Sequence, residues 1–295
     1  MSCFLNDFKK EIHARKDANV FFIATYGKDG VHTEALCSTN PCQNVYSIAK
    51  AFVVTAIGLL VDQGKLLTNE LLTDLLADEL PATYHDVWKK TSVEMLLLHK
   101  VGLEKGFLDI DCKDANTFGK DYLSFVLNAP IREDFDGTES TYTDAAYYLL
   151  SRIVEKRAGI PTDKFLWEHL FHPLHFREAA WSHCPMGHTI GATGLYIRIE
   201  DLIKLGMLYL NRGVYEGKRI LSENWVDTVL SNGYELKLQK NGISYGKGGM
   251  RGQMLMILPH CHRAVAWLGC GNNSFCDFVA EYFSQDAHPI KARTK

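Results

Sequence analysis

The sequence lacks any long run of apolar residues. Its longest, Ala51–Val61, is too short to cross a bilayer as a helix. It also lacks a block of like charge, because 32 Lys and Arg residues stand interspersed with 35 Asp and Glu residues, for a net charge of -3. This balance provides no basic surface for nucleic acid or for an anionic membrane. We therefore expect neither a membrane nor a nucleic acid as a partner.

The cysteines lack the spacing of a disulfide framework or of a zinc site. All eight are scattered along 295 residues, which is typical of reduced thiols in a cytosolic protein. Residues 1–10 also lack the apolar core and the small-residue cleavage site of a signal peptide. These absences predict a cytoplasmic location.

Apolar patterning predicts strands near both ends of the chain and helices between them. An amphipathic helix over residues 3–17 precedes a β-hairpin over 20–36 with an Asp-Gly turn. Residues 66–187 show mostly helical patterns with irregular loops, and a closing helix covers 275–283. Four strands are predicted in the final third, over residues 234–239, 242–248, 253–258 and 264–270.

Strands at both ends join most simply in one antiparallel sheet, with the helical middle inserted as a second domain. We therefore predict an α+β fold with a sheet flanked by N- and C-terminal helices. Residues 1–62 and 188–295 would form a discontinuous sheet-containing domain, and residues 63–187 would form the inserted helical domain. The active site is expected between the two.

Ser47 and Lys50 stand at the start of the apolar run, which ends at Gly64 and predicts a buried helix. Residues three apart share a helix face, so the hydroxyl and the amine can touch. Burial and the positive end of the helix dipole both favour the uncharged amine of a lysine. An uncharged Lys50 can take a proton from Ser47 and make it nucleophilic. The alternative is a capping serine followed by an exposed lysine, a common pattern in helices.

Together with two later segments, this pair resembles the serine β-lactamase and penicillin-binding protein superfamily, most closely its class C-like, β-lactamase-related branch. The segment Tyr142-Thr143-Asp144 stands where the family has Tyr-x-Asn. Lys247-Gly248-Gly249 stands where it has Lys or His, any residue, then Gly. Further matches lie at residues 96–103, 193–196 and 211–222. The resemblance covers nearly the whole chain and implies the β-lactamase/transpeptidase-like fold.

The resemblance also implies an activity, that of a serine hydrolase working through an acyl-enzyme on a small amide, peptide or ester. Ser47 would be the nucleophile, and Lys50 and Tyr142 would share proton transfer. No cofactor and no metal are expected. The expected partner is a small-molecule or peptide substrate.

Four residues are expected to bind the substrate: Asp144, Lys247, Gly249 and Met250. Lys247 and Asp144 would orient it, and the glycine would let it approach the backbone. The resemblance implies an oxyanion hole from the N–H groups of Ser47 and Met250. Asp144 departs from the family asparagine, because an ionised carboxylate cannot donate to a substrate carbonyl. It could instead hold Lys50 or favour a substrate that bears an amine.

Two other functions stay open at this point. One is a catalytically weak descendant that binds peptides or a partner protein through the same cleft. The other is a metal-dependent hydrolase, because histidines recur at residues 169, 172 and 175 and again at 260 and 262. Pro173 interrupts the first set, which disfavours a metal site there. His99 is interpreted as a structural hydrogen-bonding residue beneath the active site rather than a base.

Overall fold

The computed structural model describes residues 3–271 and 274–284. These residues form two compact units. The first comprises residues up to Ala51, Phe171–Ala180 and residues from Leu195 on, and the second comprises Phe52–Leu170 and Trp181–Gly194. The breaks lie near the predicted ones after residues 62 and 187 but differ from them. Most of the buried helix after Ser47 is counted with the second unit.

The helices and strands of the described residues are joined by connections of very different lengths. The helices are α1 (Cys3–Ala14), α2 (Ala49–Asp62), α3 (Leu72–Leu75), α4 (Val93–Leu97), α5 (Tyr122–Leu127), α6 (Asp144–Ala158), α7 (Thr162–Leu166), α8 (Ile199–Leu210), α9 (Glu223–Asn232) and α10 (Cys276–Tyr282). The strands are β1 (Val20–Gly27), β2 (Gly30–Ala35), β3 (Gln43–Asn44), β4 (Ala179–Trp181), β5 (Leu195–Ile197), β6 (Val214–Tyr215), β7 (Lys218–Arg219), β8 (Lys237–Leu238), β9 (Tyr245–Gly248), β10 (Met254–Leu258) and β11 (Arg263–Gly269).

The first unit is built on an antiparallel sheet with the strand order β2-β1-β11-β10-β9-β8. β1 pairs with β11 from Val20 opposite Gly269 to Tyr26 opposite Ala264. Strands from the two ends of the chain therefore meet in one sheet, which confirms the predicted α+β architecture. The hairpin of β1 and β2 closes at Gly27 opposite Gly30, also as predicted.

The apolar composition of β10 and β11 explains their central place in this sheet. Every residue of the two strands except Arg263 is buried. Strands that are apolar on both faces are typical of a sheet covered on both sides. On one face α8 comes close at Gly206, where an added Cβ would lie 3.0 Å from Leu255 Cδ1. Residues of α1 and α10 cover the other face.

Three predicted elements differ from the observed ones. The strand predicted over 234–239 is reduced to β8, because Glu235 has a positive φ of 60° that breaks the extended chain. The strand predicted over 242–248 is shorter and begins at Tyr245 as β9. The helix predicted over 3–17 ends at Ala14.

The longest helix of the second unit, α6, is buried over its first eleven residues, Asp144–Val154. Thr143 caps its start by accepting a hydrogen bond from the Ala145 N–H, and Gly159 ends it in the left-handed region at φ 74°. None of the helices in the described part of the chain combines the length and apolar composition needed to cross a bilayer.

The aromatic core under α1 supports a first prediction. Phe8 is fully buried, and its ring centroid lies 5.6 Å from that of Trp267 and 5.5 Å from that of Phe275. Phe8→Ala should lower the free energy of unfolding by about 3–5 kcal/mol, because it opens a cavity in this core. Urea unfolding followed by fluorescence measures the change. Val31→Ala, at a position that is 43% exposed, is the control and should change stability little. Equal effects of the two substitutions would contradict the described packing.

Candidate active site

Ser47 lies in a short turn anchored to the small strand β5. Asn44 on β3 pairs with Tyr196 on β5, and the Val45 N–H donates to the Leu195 carbonyl over 2.9 Å. Tyr46 then takes a positive φ of 48°. Ser47 belongs to a single 3-10 turn, Tyr46–Ile48, directly before α2. Ser47 was predicted to lie inside the helix, but it lies in the turn that leads into the helix.

Ser47 and Lys50 are brought together by this turn. Lys50 Nζ donates a hydrogen bond to Ser47 Oγ over 3.2 Å. Lys50 is completely buried, whereas Ser47 is half-buried. The alternative of an exposed lysine after a capping serine is therefore wrong. The hydroxyl remains accessible while the amine is removed from water.

The third motif lies beside the same turn, at the end of β9. A Cβ on Gly249 would lie 2.7 Å from the Val45 carbonyl oxygen and 2.6 Å from Gln253 Oε1. The main chain at Gly249 thus packs directly against the segment that carries Ser47. A Cβ on Gly248 would meet only ordinary contacts at 3.6 Å. A glycine at position 249 is therefore required by packing inside the protein. The prediction considered only the close approach of a substrate.

Lys247 on β9 forms an ion pair with Glu235, a residue that the sequence analysis missed. The Glu235 side chain is 0% exposed and that of Lys247 is 12% exposed. A glutamate between the apolar residues Tyr234 and Leu236 was the available signal, since such a carboxylate needs a partner. Because residues 234–239 were predicted as one extended strand, the turn at Glu235, which orients the carboxylate toward Lys247, was not predicted.

A cavity of about 260 Å³ opens beside the third motif in the first unit. Its lining includes Gly248, Gly249, Met250, Met254 and Trp267. Met250 is 38% exposed, which is unusual for a large apolar side chain. The structure thus places Ser47, Lys50, Lys247, Gly249 and Met250 in one unit, with this cavity next to the glycines.

Tyr142 and Asp144 lie in the second unit, where the loop at Phe107 holds them. The Tyr142 carbonyl accepts a hydrogen bond from the Gly106 N–H over 2.9 Å, and the Asp144 N–H donates to the Phe107 carbonyl over 3.1 Å. Asp144 is 7% exposed and begins α6, so the helix dipole stabilises its negative charge. A carboxylate at the start of α6 is therefore favourable, which explains why Asp144 can stand where the family has an asparagine.

His99 contacts two residues of the second motif, Tyr142 and Thr143. It is buried, and its Nδ1 accepts a hydrogen bond from the Thr143 N–H over 3.3 Å. Its ring centroid lies 4.7 Å from that of Tyr142. An Nδ1 that accepts a hydrogen bond carries no proton, so His99 is neutral in this arrangement. These contacts support the interpretation of His99 as a structural residue.

One cluster of carboxylates lies at Asp144. One oxygen each from Asp109, Asp111 and Asp144 falls within 4.8 Å of the others, the one such group among the described residues. Asp111 accepts a hydrogen bond from Thr193 Oγ1 over 2.6 Å. The histidines considered above as metal ligands do not form such a group in the described chain. The cluster gives this part of the second unit a negative charge.

The two glycines of the third motif provide a matched test. Gly249→Ala should destabilise the protein by about 1–3 kcal/mol, because its Cβ meets a main-chain oxygen and a hydrogen-bonded side chain that cannot move cheaply. Gly248→Ala should change the free energy of unfolding by less than about 1 kcal/mol, because its contacts stay at ordinary distance. Urea denaturation of both variants measures the difference. A larger loss in Gly248→Ala would contradict the packing of Gly249 on Val45.

Comparison with known proteins identifies relatives over most of the chain. A 6-aminohexanoate-dimer hydrolase of Paenarthrobacter ureafaciens is 23% identical over 211 residues, which cover 67% of this chain and 53% of that protein. The chain spans about half the length of the curated relatives it matches.

Solved structures share the fold. A putative 6-aminohexanoate-dimer hydrolase from Bacillus anthracis superposes with a TM-score of 0.73 at 15% identity, covering 94% of this chain and 80% of the other. A D-stereospecific amidohydrolase from Streptomyces sp. gives a TM-score of 0.69 at 16% identity, with coverage of 93% and 96%. The family model described as Beta-lactamase matches residues 12–287. The chain therefore belongs to the Beta-lactamase family, as its three motifs predicted.

Proposed function

We propose that the protein is a serine hydrolase that cleaves a small amide, peptide or ester through an acyl-enzyme on Ser47. The observation that carries the proposal is the 3.2 Å contact between Ser47 Oγ and Lys50 Nζ, with the lysine fully buried. Complete burial disfavours an ammonium ion. A buried amine within hydrogen-bond reach of a half-exposed hydroxyl is the arrangement that activates a serine.

The proposed reaction has two steps. Ser47 Oγ attacks the substrate carbonyl carbon while its proton passes to Lys50 Nζ, and the N–H groups of Ser47 and Met250 receive the oxyanion. The bond to the leaving amine or alcohol then breaks as Tyr142 and Lys50 return the proton to it. Water attacks the acyl-enzyme in the second step, which releases the acid and restores the Ser47 hydroxyl. The role of Tyr142 rests on its place in the second motif.

Three of the thiols are weaker candidates for the nucleophile than Ser47. Burial and a hydrogen bond to Glu178 raise the pKa of the Cys42 thiol to about 11. Burial likewise raises the pKa of Cys261 and Cys276. Because only the thiolate is strongly nucleophilic, these cysteines stay unreactive at neutral pH.

An uncharged or amine-bearing amide or ester is the substrate class that the site residues support best. Asp144, with Asp109 and Asp111 beside it, offers negative charge where the family asparagine offers an amide donor. Two of the similar proteins, a 6-aminohexanoate-dimer hydrolase and a D-stereospecific amidohydrolase, support amide substrates by their names. The cavity beside Gly249 and Met250 supports a small substrate group.

Ser47→Ala tests the nucleophile. The variant should lose at least about a thousandfold in kcat for p-nitrophenyl butyrate, because it lacks the oxygen that attacks the substrate carbonyl in the proposed reaction. Its unfolding midpoint should stay near that of the natural protein, since only one oxygen is removed. The control is Ser151→Ala, which removes a buried hydroxyl that donates to the Thr189 carbonyl. Full turnover in Ser47→Ala would show that the proposal is wrong.

Asp144→Asn tests the substrate class. The natural protein should turn over nitrocefin poorly, because an ionised carboxylate cannot donate to the acylamino carbonyl of a β-lactam. The substitution restores a donor and should raise kcat/KM for nitrocefin relative to that for p-nitrophenyl butyrate by about tenfold. Asp163→Asn, another partly buried acid of the second unit, is the control. A lower ratio in Asp144→Asn, or rapid nitrocefin turnover by the natural protein, contradicts the prediction.

A further inference from the structure

Glu235 is buried in a strained turn of the first unit. Its side chain is 0% exposed, and its φ of 60° lies where residues other than glycine are uncommon. The Leu236 N–H donates to the Tyr234 carbonyl over 2.7 Å, which closes a three-residue γ-turn with Glu235 at its centre. Backbone strain of this kind persists where the surrounding structure imposes it, and it concentrates at functional sites.

The strained turn directs the carboxylate to Lys247. The two side chains form an ion pair, and only the lysine retains some exposure, at 12%. Lys247 lies on β9 two residues before Gly249, whose main chain packs on the Val45 carbonyl next to Ser47. The lysine of the third motif therefore lies on the strand that leads to the Ser47 turn, and its positive charge is paired with a buried negative charge.

This pairing changes what the lysine can attract. An isolated ammonium at the edge of a site binds a substrate carboxylate, but a carboxylate within a few ångströms repels the same group. Because Glu235 is fully buried, water screens its charge little. A substrate anion near Lys247 would meet both charges of the pair.

We infer that Glu235 is a specificity-determining positioning residue, which cancels the charge of Lys247 beside the Ser47 turn and so excludes substrates that carry a carboxylate there. The inference deepens the proposed function and rests on it. The preferred substrates are uncharged or cationic amides and esters. Glu235 touches no reacting atom; it acts through the lysine.

Glu235→Gln tests the inference with a matched pair of esters. The probes are mono-p-nitrophenyl glutarate, which bears a free carboxylate, and its methyl ester, which bears none. The ratio of kcat/KM for the acid over the methyl ester should rise about tenfold or more in Glu235→Gln, mainly through a lower KM for the acid. Added salt should reduce the gain, because it screens the exposed ammonium. An unchanged ratio in the folded variant overturns the inference.

Two controls separate charge from structure. Asp201→Asn removes another fully buried carboxylate of the first unit, which pairs with Lys204 over 2.8 Å, and should leave the ratio unchanged. The double variant Glu235→Gln with Lys247→Gln removes both charges and should return the ratio to that of the natural protein. A ratio that stays high in the double variant shows that packing rather than charge caused the change, and it overturns the inference.

The natural protein provides a further readout if Glu235→Gln does not fold. Its KM for the acid should exceed its KM for the methyl ester. A lower KM for the acid that rises with salt would show that Lys247 attracts anions, and would overturn the inference. Absence of any acyl-enzyme on Ser47 with either ester would instead overturn the proposed function. If the methyl ester is turned over but the KM for the acid is lower and rises with salt, only the role of Glu235 is overturned.

Discussion

The contact between the Lys50 amine and the Ser47 hydroxyl is the constraint on which the first unit's candidate site depends. An amine that is completely buried needs a polar neighbour, and a hydroxyl 3.2 Å away provides one. To hold that hydroxyl, the chain leaves strand β3, takes a positive φ at Tyr46 and forms one 3-10 turn before α2. Lys50 is the second residue of the long apolar helix α2, and this position encloses its side chain.

The six-stranded sheet also contacts the turn that carries Ser47. Gly249 directly follows β9 and packs against the Val45 carbonyl, so the third motif is in contact with the segment that carries Ser47. On the same strand, the charge of Lys247 is matched by Glu235. In the second unit Asp144 places a carboxylate at the start of a helix. In the first unit's candidate site, Lys247 is thus paired with a carboxylate and Lys50 is enclosed, which supports the proposed preference for uncharged or cationic substrates.

Sequence patterns predicted the parts of the structure that arise from long periodic segments and from short motifs with a physical role. The hairpin of β1 and β2, the buried helix α2 and the Ser47–Lys50 pair are examples. The pairing of β3 with β5 could not be predicted, because strands of two or three residues show no periodicity. The Glu235–Lys247 ion pair depends on a positive φ at Glu235, and no glycine marked that turn. The boundaries of the compact units depend on long-range packing, which no local pattern contains.

Mass spectrometry of the quenched reaction tests the central claim most directly. Natural protein mixed with a slowly deacylating p-nitrophenyl ester and quenched in acid should gain the mass of one acyl group. Proteolysis should place that group on the peptide that contains Ser47, and Lys50→Ala should abolish its rapid formation. Hydrolysis without an adduct, or an adduct confined to a cysteine such as Cys42, would contradict the account.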